Sequence, residues 1–464
     1  MPAAGVPDAA VDLANVQGLV HAFYPRECAR YLLFSLGDGT GPVDGRAFLR
    51  GLLPRVTVAR ADPAAAGAFV NIGLSFEGLQ RLGVEPAVLD EFPADFRNGP
   101  DHIALGDVGV GAPGTWRTAA FPASGVHMLV QLTGHTDADI ASASADVRAL
   151  AARTGVTELR PTSDGAPIDG RHLGGGRLHF GYRDGISQPD VAWSDGPDEA
   201  GLVNFRHFVL GYSTAAISSS PKVVGSRPTS SADAVELVRD GCYAMFKWIY
   251  QDVARFNQFL ETEAPRLAPG RPAAEAQELL AAKLMGRWRD GTPLVLSPDH
   301  PSADLVERND FGYRTTDPDG VKCPFAAHVR VVNPRDQELS PVEFGVVPRV
   351  IRRGTPFGPP LLGTTDDGRL RGLVGVFLCA SITAQIYKLT AWMKRTDFSP
   401  KFSDPVGQDP LASRQVPGAS ATFDIPSTSG APASVQLVEF TRTLGTAFFL
   451  VPGLSGLRRL ARPA

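Results

Sequence analysis

Three stretches of this 464-residue chain hold side chains suited to chemistry. The first is His179-Phe180-Gly181-Tyr182-Arg183-Asp184-Gly185-Ile186-Ser187-Gln188-Pro189. Its glycines allow backbone angles closed to other residues and a close approach to a ligand. A carboxylate held there, Asp184, is able to move protons, although an aspartate between glycines is also an ordinary turn residue. The second is His328-Val329-Arg330-Val331-Val332-Asn333-Pro334-Arg335-Asp336. One imidazole at the end of an apolar run is either a hydrogen-bonded core histidine or a metal ligand. The third is Pro348-Arg349-Val350-Ile351-Arg352-Arg353-Gly354-Thr355-Pro356-Phe357-Gly358. Arg352 is either a solvated edge charge or a cation that cannot titrate away, aimed at a pocket. Successive residues of a strand face opposite ways, so at most one of Arg352 and Arg353 faces such a pocket.

No second His or Cys stands at zinc spacing from His328. If His328 binds a metal, the other ligands must come with a cofactor. A porphyrin meets that need, because it supplies four nitrogens and leaves an axial place for one imidazole.

These residues need elements to hold them. Apolar runs at 28–36 and 125–135 are expected to be strands, 69–84 a strand running into a helix, and 137–153 a helix. Residues 154–190 are rich in Gly, Asp and Pro and form a long functional loop. The plan then recurs. Residues 242–250 are expected to be a strand running into a helix, 274–287 is a second helix, and 294–327 is irregular. Strands are expected at 327–332 and 346–352. A buried strand at 373–380 leads into a helix through about Lys394. A Pro/Ser/Gly-rich stretch, 399–433, precedes two closing strands. This order implies antiparallel sheet with helices on one face, in two α+β halves joined near 205–240.

Hydrophobic residues make up 43% and charged residues 20%, the balance of a globular chain with a sizeable core. The net charge of −4 comes without a basic stripe, which argues against a nucleic-acid partner. Four scattered cysteines without a CxxC pair make neither a disulfide framework nor a zinc site. No stretch reaches the roughly 18 apolar residues of a membrane span. The first residues lack the basic start and apolar run of an export signal, so the cytoplasm is the expected compartment.

Together the three segments resemble the dye-decolorizing peroxidase family. Its GxxDG motif is matched by Gly181-Tyr182-Arg183-Asp184-Gly185. Its H-x-R-x-x-N-P-R segment is matched by His328 to Arg335, and its distal arginine segment by residues 351–358. Asn15-Val16-Gln17-Gly18, Asp240 to Phe256 and Gly375 to Ala380 extend the resemblance over almost the whole chain. The length resembles the longer, C/D-type branch. One departure is the small pair Ala380-Ser381, where related sequences often carry a larger residue.

The resemblance implies an α+β fold of two ferredoxin-like halves, each an antiparallel β-sheet with packed helices. Residues 1–205 would carry the GxxDG loop, and residues 206–464 the haem ligand and distal arginine. It implies one haem b (iron protoporphyrin IX) per chain with His328 on the iron. Asp184 would be the general base and then acid toward hydrogen peroxide, with Arg352 stabilising the developing negative charge. Gly185, Phe377 and Arg352 would flank the cofactor, Phe377 being otherwise a core residue. Asp409 is the candidate carboxylate behind His328. A carboxylate shuttle must hold its proton briefly, so turnover is expected to favour mildly acidic pH. The reductant would be a dye or other aromatic, reached for bulky molecules through Trp248, Tyr250, Trp288, Tyr313 or Trp392, each otherwise ordinary packing. A homo-oligomer is compatible with this picture. The alternatives are a deferrochelatase-like haem-handling protein without true turnover, and a cofactor-free α+β binding module.

Overall fold

The computed structural model describes residues 9–22, 24, 27–37, 44–116, 125–162, 164–196, 201–214, 223–225, 227, 229–339, 347–394, 409–412, 422–428 and 432–463. Five strands come early in the chain: β1 (Cys28–Ser35), β2 (Phe69–Leu74), β3 (Met128–Gly134), β4 (Thr157–Leu159) and β5 (Ile168–Arg171). A short parallel pair follows, β6 (Asp190–Ala192) with β7 (Leu202–Asn204). The later strands are β8 (Cys242–Gln251), β9 (Ile351–Arg352), β10 (Thr355–Phe357), β11 (Gly372–Cys379), β12 (Thr422–Ile425), β13 (Ala433–Gln436) and β14 (Thr441–Val451).

Ten of these strands form one sheet in the order β10-β11-β8-β14-β2-β3-β1-β4, with β5 paired to β1 and β9 to β11. The early and late strands are therefore continuous, joined through β14 and β2. Along each strand, alternate residues enter different cores, as the period of two requires. Leu32, Phe34, Val130, Tyr243 and Phe448 pack on one face. Tyr31, Leu33, Leu129, Phe246 and Phe449 pack on the other. Both faces are covered, which is why the strands are apolar runs rather than alternating ones. The fold is thus α+β with a large antiparallel sheet, as expected, but its cover is not confined to one face.

The helix Asp137–Thr154 starts with a capping box between Thr136 and Asp139 and stops at Gly155, whose φ is 70°. The helices Val253–Leu267 and Ala273–Met285 pack together and build a third core with Phe180, Tyr182, Tyr313 and Phe440. Among the described residues, no helix is long and apolar enough to cross a membrane.

Two expected strands are corrected. Residues His328–Val332 form a short helix. Of the strand expected at 346–352, only Ile351–Arg352 pairs, residues 347–350 are irregular, and residue 346 lies outside the described residues.

Candidate active site

The glycine loop is anchored by its aromatic side chains. Phe180 stacks on Phe256 at 4.4 Å between ring centroids, and buried Tyr182 donates to the Ala281 carbonyl at 2.7 Å. Arg289 Nε donates to the Phe180 carbonyl at 3.0 Å, and the Arg183 amide donates to the Arg289 carbonyl at 3.0 Å. The Asp184 amide is tied to the Gly176 carbonyl at 2.8 Å. Asp184 itself points away from this core and stays open, its side chain 44% exposed. Gly185 follows at φ +89°, a left-handed angle that disfavours any side chain, and an ideal Cβ there meets no atom within 4 Å.

His328 opens its helix just after the turn Pro324–Ala327, in which the Ala327 amide donates to the Pro324 carbonyl. Two residues on, Arg330 is fully buried and fixes the helix. It donates to Asp317 Oδ2 at 2.9 Å, the Cys323 carbonyl at 2.7 Å, the Asp317 carbonyl at 3.0 Å and Gln337 Oε1 at 2.6 Å. Its guanidinium also lies over the Tyr313 and Phe325 rings, at 4.3 and 4.4 Å. Val331 packs on Leu389 and Trp392 of the helix Lys388–Lys394. The Asp409 amide donates to Met393 near the end of that helix, and its buried Oδ2 lies 2.5 Å from His328 Nδ1. Asp409 Oδ1 accepts the amides of Leu411 and Ala412 at 2.9 and 3.2 Å. Burial pushes the His328 pKa down. The charge and hydrogen bond of Asp409 more than reverse this, and the pKa lies above the ordinary histidine value. With Nδ1 held by Asp409, Nε2 has no hydrogen-bond partner among the described residues.

Arg352 stands opposite Phe377 in the β9–β11 register, so the two side chains share a face. Gln188, from the glycine loop, clamps the Arg352 main chain from both sides. Its Nε2 donates to the Arg352 carbonyl and its Oε1 accepts the Arg352 amide, each at 3.1 Å. This clamp brings the arginine strand to the aspartate loop, and Arg352 Nη2 lies 3.5 Å from Asp184 Oδ1. Arg353 turns the other way, donating to the carbonyls of Leu19 and Arg352 at 2.8 and 3.0 Å.

The three segments converge. The charges of Arg352 and Asp184 both reach the His328 imidazole, the first lowering and the second raising its pKa. Among the described residues, no cluster of three or more His, Cys, Asp or Glu side chains could hold a metal ion alone. The site suits a group that brings its own equatorial ligands. His328 offers Nε2, and Arg352 Nε is buried without a hydrogen-bond partner among the described residues. Cations also crowd here. Burial first, then repulsion from Arg335 and Arg352, pushes Arg287 down to about 10 and holds Arg349 below the ordinary arginine value. The two carboxylates of a haem are the complement such a cluster lacks.

The arrangement thus brings together Asp184, Gly185, His328, Arg352, Phe377 and Asp409. Sequence reasoning missed Gln188 as a clamp, the cations Arg287, Arg335 and Arg349, and Asn309. The last accepts Arg335 at 2.6 Å, Arg287 at 3.2 Å and Ser187 at 3.3 Å on its side-chain oxygen. Gln188, Arg335 and Arg349 lay inside the quoted segments, whereas Arg287 and Asn309 lay outside them. Ala380 lies in the core and Ser381 caps the segment that follows it, accepting the Ala384 amide. Trp248, Trp288, Tyr313 and Trp392 are buried; Tyr250 is partly exposed, with Arg442 4.5 Å from its ring centroid.

No family model matches the sequence. The chain is 29% identical over 498 aligned positions to a dye-decolorizing peroxidase of Mycena epipterygia, covering 98% of this chain and 88% of that protein. It is 28% identical to the multifunctional dye peroxidase DyP2 of an Amycolatopsis species, covering 71% of this chain and 67% of that protein. Among solved structures, an ancestral D-type dye-decolorizing peroxidase superposes with a TM-score of 0.81 at 26% identity, covering 98% of this chain and 100% of that one. A dye-decolorizing peroxidase in complex with 2,6-dimethoxyphenol superposes with a TM-score of 0.78 at 25% identity, over 97% and 100% of the two chains. Fold, motif order and relatives agree: over almost its whole length the chain is similar to dye-decolorizing peroxidases.

Proposed function

We propose that His328 holds the iron of one haem b per chain, and that Asp184 and Arg352 act on hydrogen peroxide from the opposite side. On its similarity to dye-decolorizing peroxidases, the chain is a haem-dependent peroxidase that oxidises dyes and phenols at the expense of peroxide. One observation carries the assignment of roles: a carboxylate and a guanidinium 3.5 Å apart, on separate segments, sit within electrostatic reach of an imidazole whose Nε2 is free.

When bound, haem supplies the redox-active iron at which peroxide is reduced and from which oxidising equivalents are drawn. The chain supplies the rest. Asp184 takes the proton from one peroxide oxygen onto its carboxylate and returns it to the other, so that this oxygen leaves as water. Arg352, already placed by Gln188, offsets the negative charge that grows on the leaving oxygen. Asp409 accepts the Nδ1 hydrogen of His328, fixing the ring and making Nε2 the better donor to iron. Arg287, Arg335 and Arg349 hold the cofactor's carboxylates. Residues 1–205 bring the proton carrier and residues 206–464 bring the ligand and the cation. For reductants too large to enter, the partly exposed Tyr250 is the outlet.

Peroxide-dependent oxidation of 2,6-dimethoxyphenol tests this reading. Asp184→Asn is expected to lower turnover by about 10²- to 10⁴-fold and Arg352→Leu by about 10²- to 10³-fold, with haem content unchanged. The wild-type optimum is expected on the acid side of neutrality. Unimpaired turnover in both variants would overturn these roles and favour a haem-handling protein.

A further inference from the structure

On the far side of β9 from Arg352 lies a cavity of about 440 Å³, within the ~300–1,000 Å³ range of small-molecule sites. Its walls include His21, Val191, Trp193, Leu202, Ile351 and Arg353. One wall is aromatic, because the His21 and Trp193 rings stand 4.6 Å apart. Val191, Leu202 and Ile351 add apolar branched side chains. The one buried cation is Arg353, 9% exposed. Its Nε and Nη1 donate to the carbonyls of Leu19 and Arg352. Among the described residues it has no carboxylate partner, and Nη2 has no hydrogen-bond partner. His21 Nδ1 is likewise buried without a hydrogen-bond partner among the described residues. A buried guanidinium whose charge meets only neutral oxygens is an incomplete arrangement.

We propose that this cavity binds a small aromatic carboxylate. The acid group meets Arg353 Nη2 and His21, and the ring lies against Trp193 between Val191 and Leu202. Nη2 offers the acid a charge-assisted hydrogen bond, and a flat apolar body suits the aromatic wall. Burial, and the repulsion of Arg352 next to it, push the Arg353 pKa down to about 10, so a bound anion relieves a charge held at a cost. Asp190, also at the wall, is exposed and carries the opposite charge. It selects against a second acid group on the ligand's outer end. The site is separate from the haem side, because successive strand residues face opposite ways and Arg352 takes the haem side. Gln188 lines the cavity and also clamps Arg352, so the bound acid rests against the residue that sets the position of the catalytic cation.

The test is calorimetric titration of the holoenzyme with benzoate, repeated in excess cyanide to block the iron side. Benzoate is expected to bind saturably in both conditions. Benzamide is expected to bind at least about tenfold more weakly. Leu202→Trp, which fills the cavity from an exposed position, and Arg353→Met are each expected to weaken benzoate by at least about tenfold. Absence of saturable binding overturns the proposal, as does an affinity that cyanide abolishes or that Leu202→Trp leaves unchanged. If Arg353→Met does not fold, Leu202→Trp and the benzamide comparison decide. None of these readouts depends on peroxide turnover, so the cavity and the proposed peroxidase roles fail independently.

Discussion

Asp409 fixes the His328 ring through Nδ1 and leaves Nε2 free of hydrogen bonds among the described residues. The carboxylate is fully buried and is itself held by two main-chain amides, so it cannot swing away from Nδ1. Replacing it with asparagine keeps the shape and removes the charge. Asp409→Asn is expected to weaken haem retention or peroxide turnover by about 10- to 100-fold, measured as haem loss to a scavenger protein and as kcat/KM for peroxide. Retention and turnover equal to wild type would show that this carboxylate does not tune the ligand. At this scale much was legible in the sequence. Asp184, His328 and Arg352 stood out as candidates because three motifs in order resemble a known family, and the opposite orientations of Arg352 and Arg353 followed from strand geometry. Gln188 was not legible as a clamp, because its role is a pair of main-chain hydrogen bonds to a strand 164 residues away. The cation cluster was not legible either, since an isolated arginine in a sequence gives no sign of the others it will face.

The segment that carries His328 shows where local pattern fails. His-Val-Arg-Val-Val alternates and is rich in β-branched residues, which favours a strand. The chain forms a helix there because tertiary contacts override that preference. Arg330 is drawn into a buried network on one side, and Val331 into the Leu389–Trp392 cluster on another. Removing the anchor leaves Asp317 buried without its cation, although two amides still reach it. Arg330→Met is therefore expected to destabilise the fold by about 3–5 kcal/mol, read from denaturant midpoints of the haem-free protein. A loss below about 1 kcal/mol would mean that the network does not hold the helix. Long apolar elements fared better than this short one. The strands at Cys28–Ser35 and Cys242–Gln251, and the capped helix Asp137–Thr154, carry enough periodicity and end signals to be found without the fold.

At the level of the whole molecule, the continuous sheet is the feature least visible in the sequence. The seam between β14 and β2 joins residues far apart in the chain, and neither strand announces its partner. Buried Gln17 reinforces the seam, accepting the Ile72 amide and donating to the carbonyls of Ile72 and Pro452. The neighbouring β8–β14 pair carries an electrostatic tie. Asp107, fully buried, lies 2.7 Å from Lys247 of β8 and accepts the hydroxyls of Thr443 and Thr446 of β14. Burial pushes its pKa up, but Lys247, His102 and Thr443 outweigh that and hold it below the ordinary carboxylate value. A carboxyl group with a lowered folded-state pKa contributes its stability in full above the unfolded-state pKa, about 3.9. It loses that contribution as pH falls through the lowered value. Asp107→Asn is expected to be less stable than wild type at neutral pH, with the gap closing in strong acid. A gap that does not change with pH would rule out this linkage.

The central claim is that one imidazole, one carboxylate and one guanidinium from three distant segments serve a single haem. Absorption spectra of the purified holoprotein, taken before and after one equivalent of hydrogen peroxide, test it most directly. The wild type is expected to show a Soret band that changes rapidly on peroxide addition. His328→Ala should lose or shift the resting band, while Asp184→Asn and Arg352→Leu should keep it and respond about a hundredfold more slowly or worse. An unchanged resting band in His328→Ala, or wild-type response rates in both of the other variants, would contradict the account.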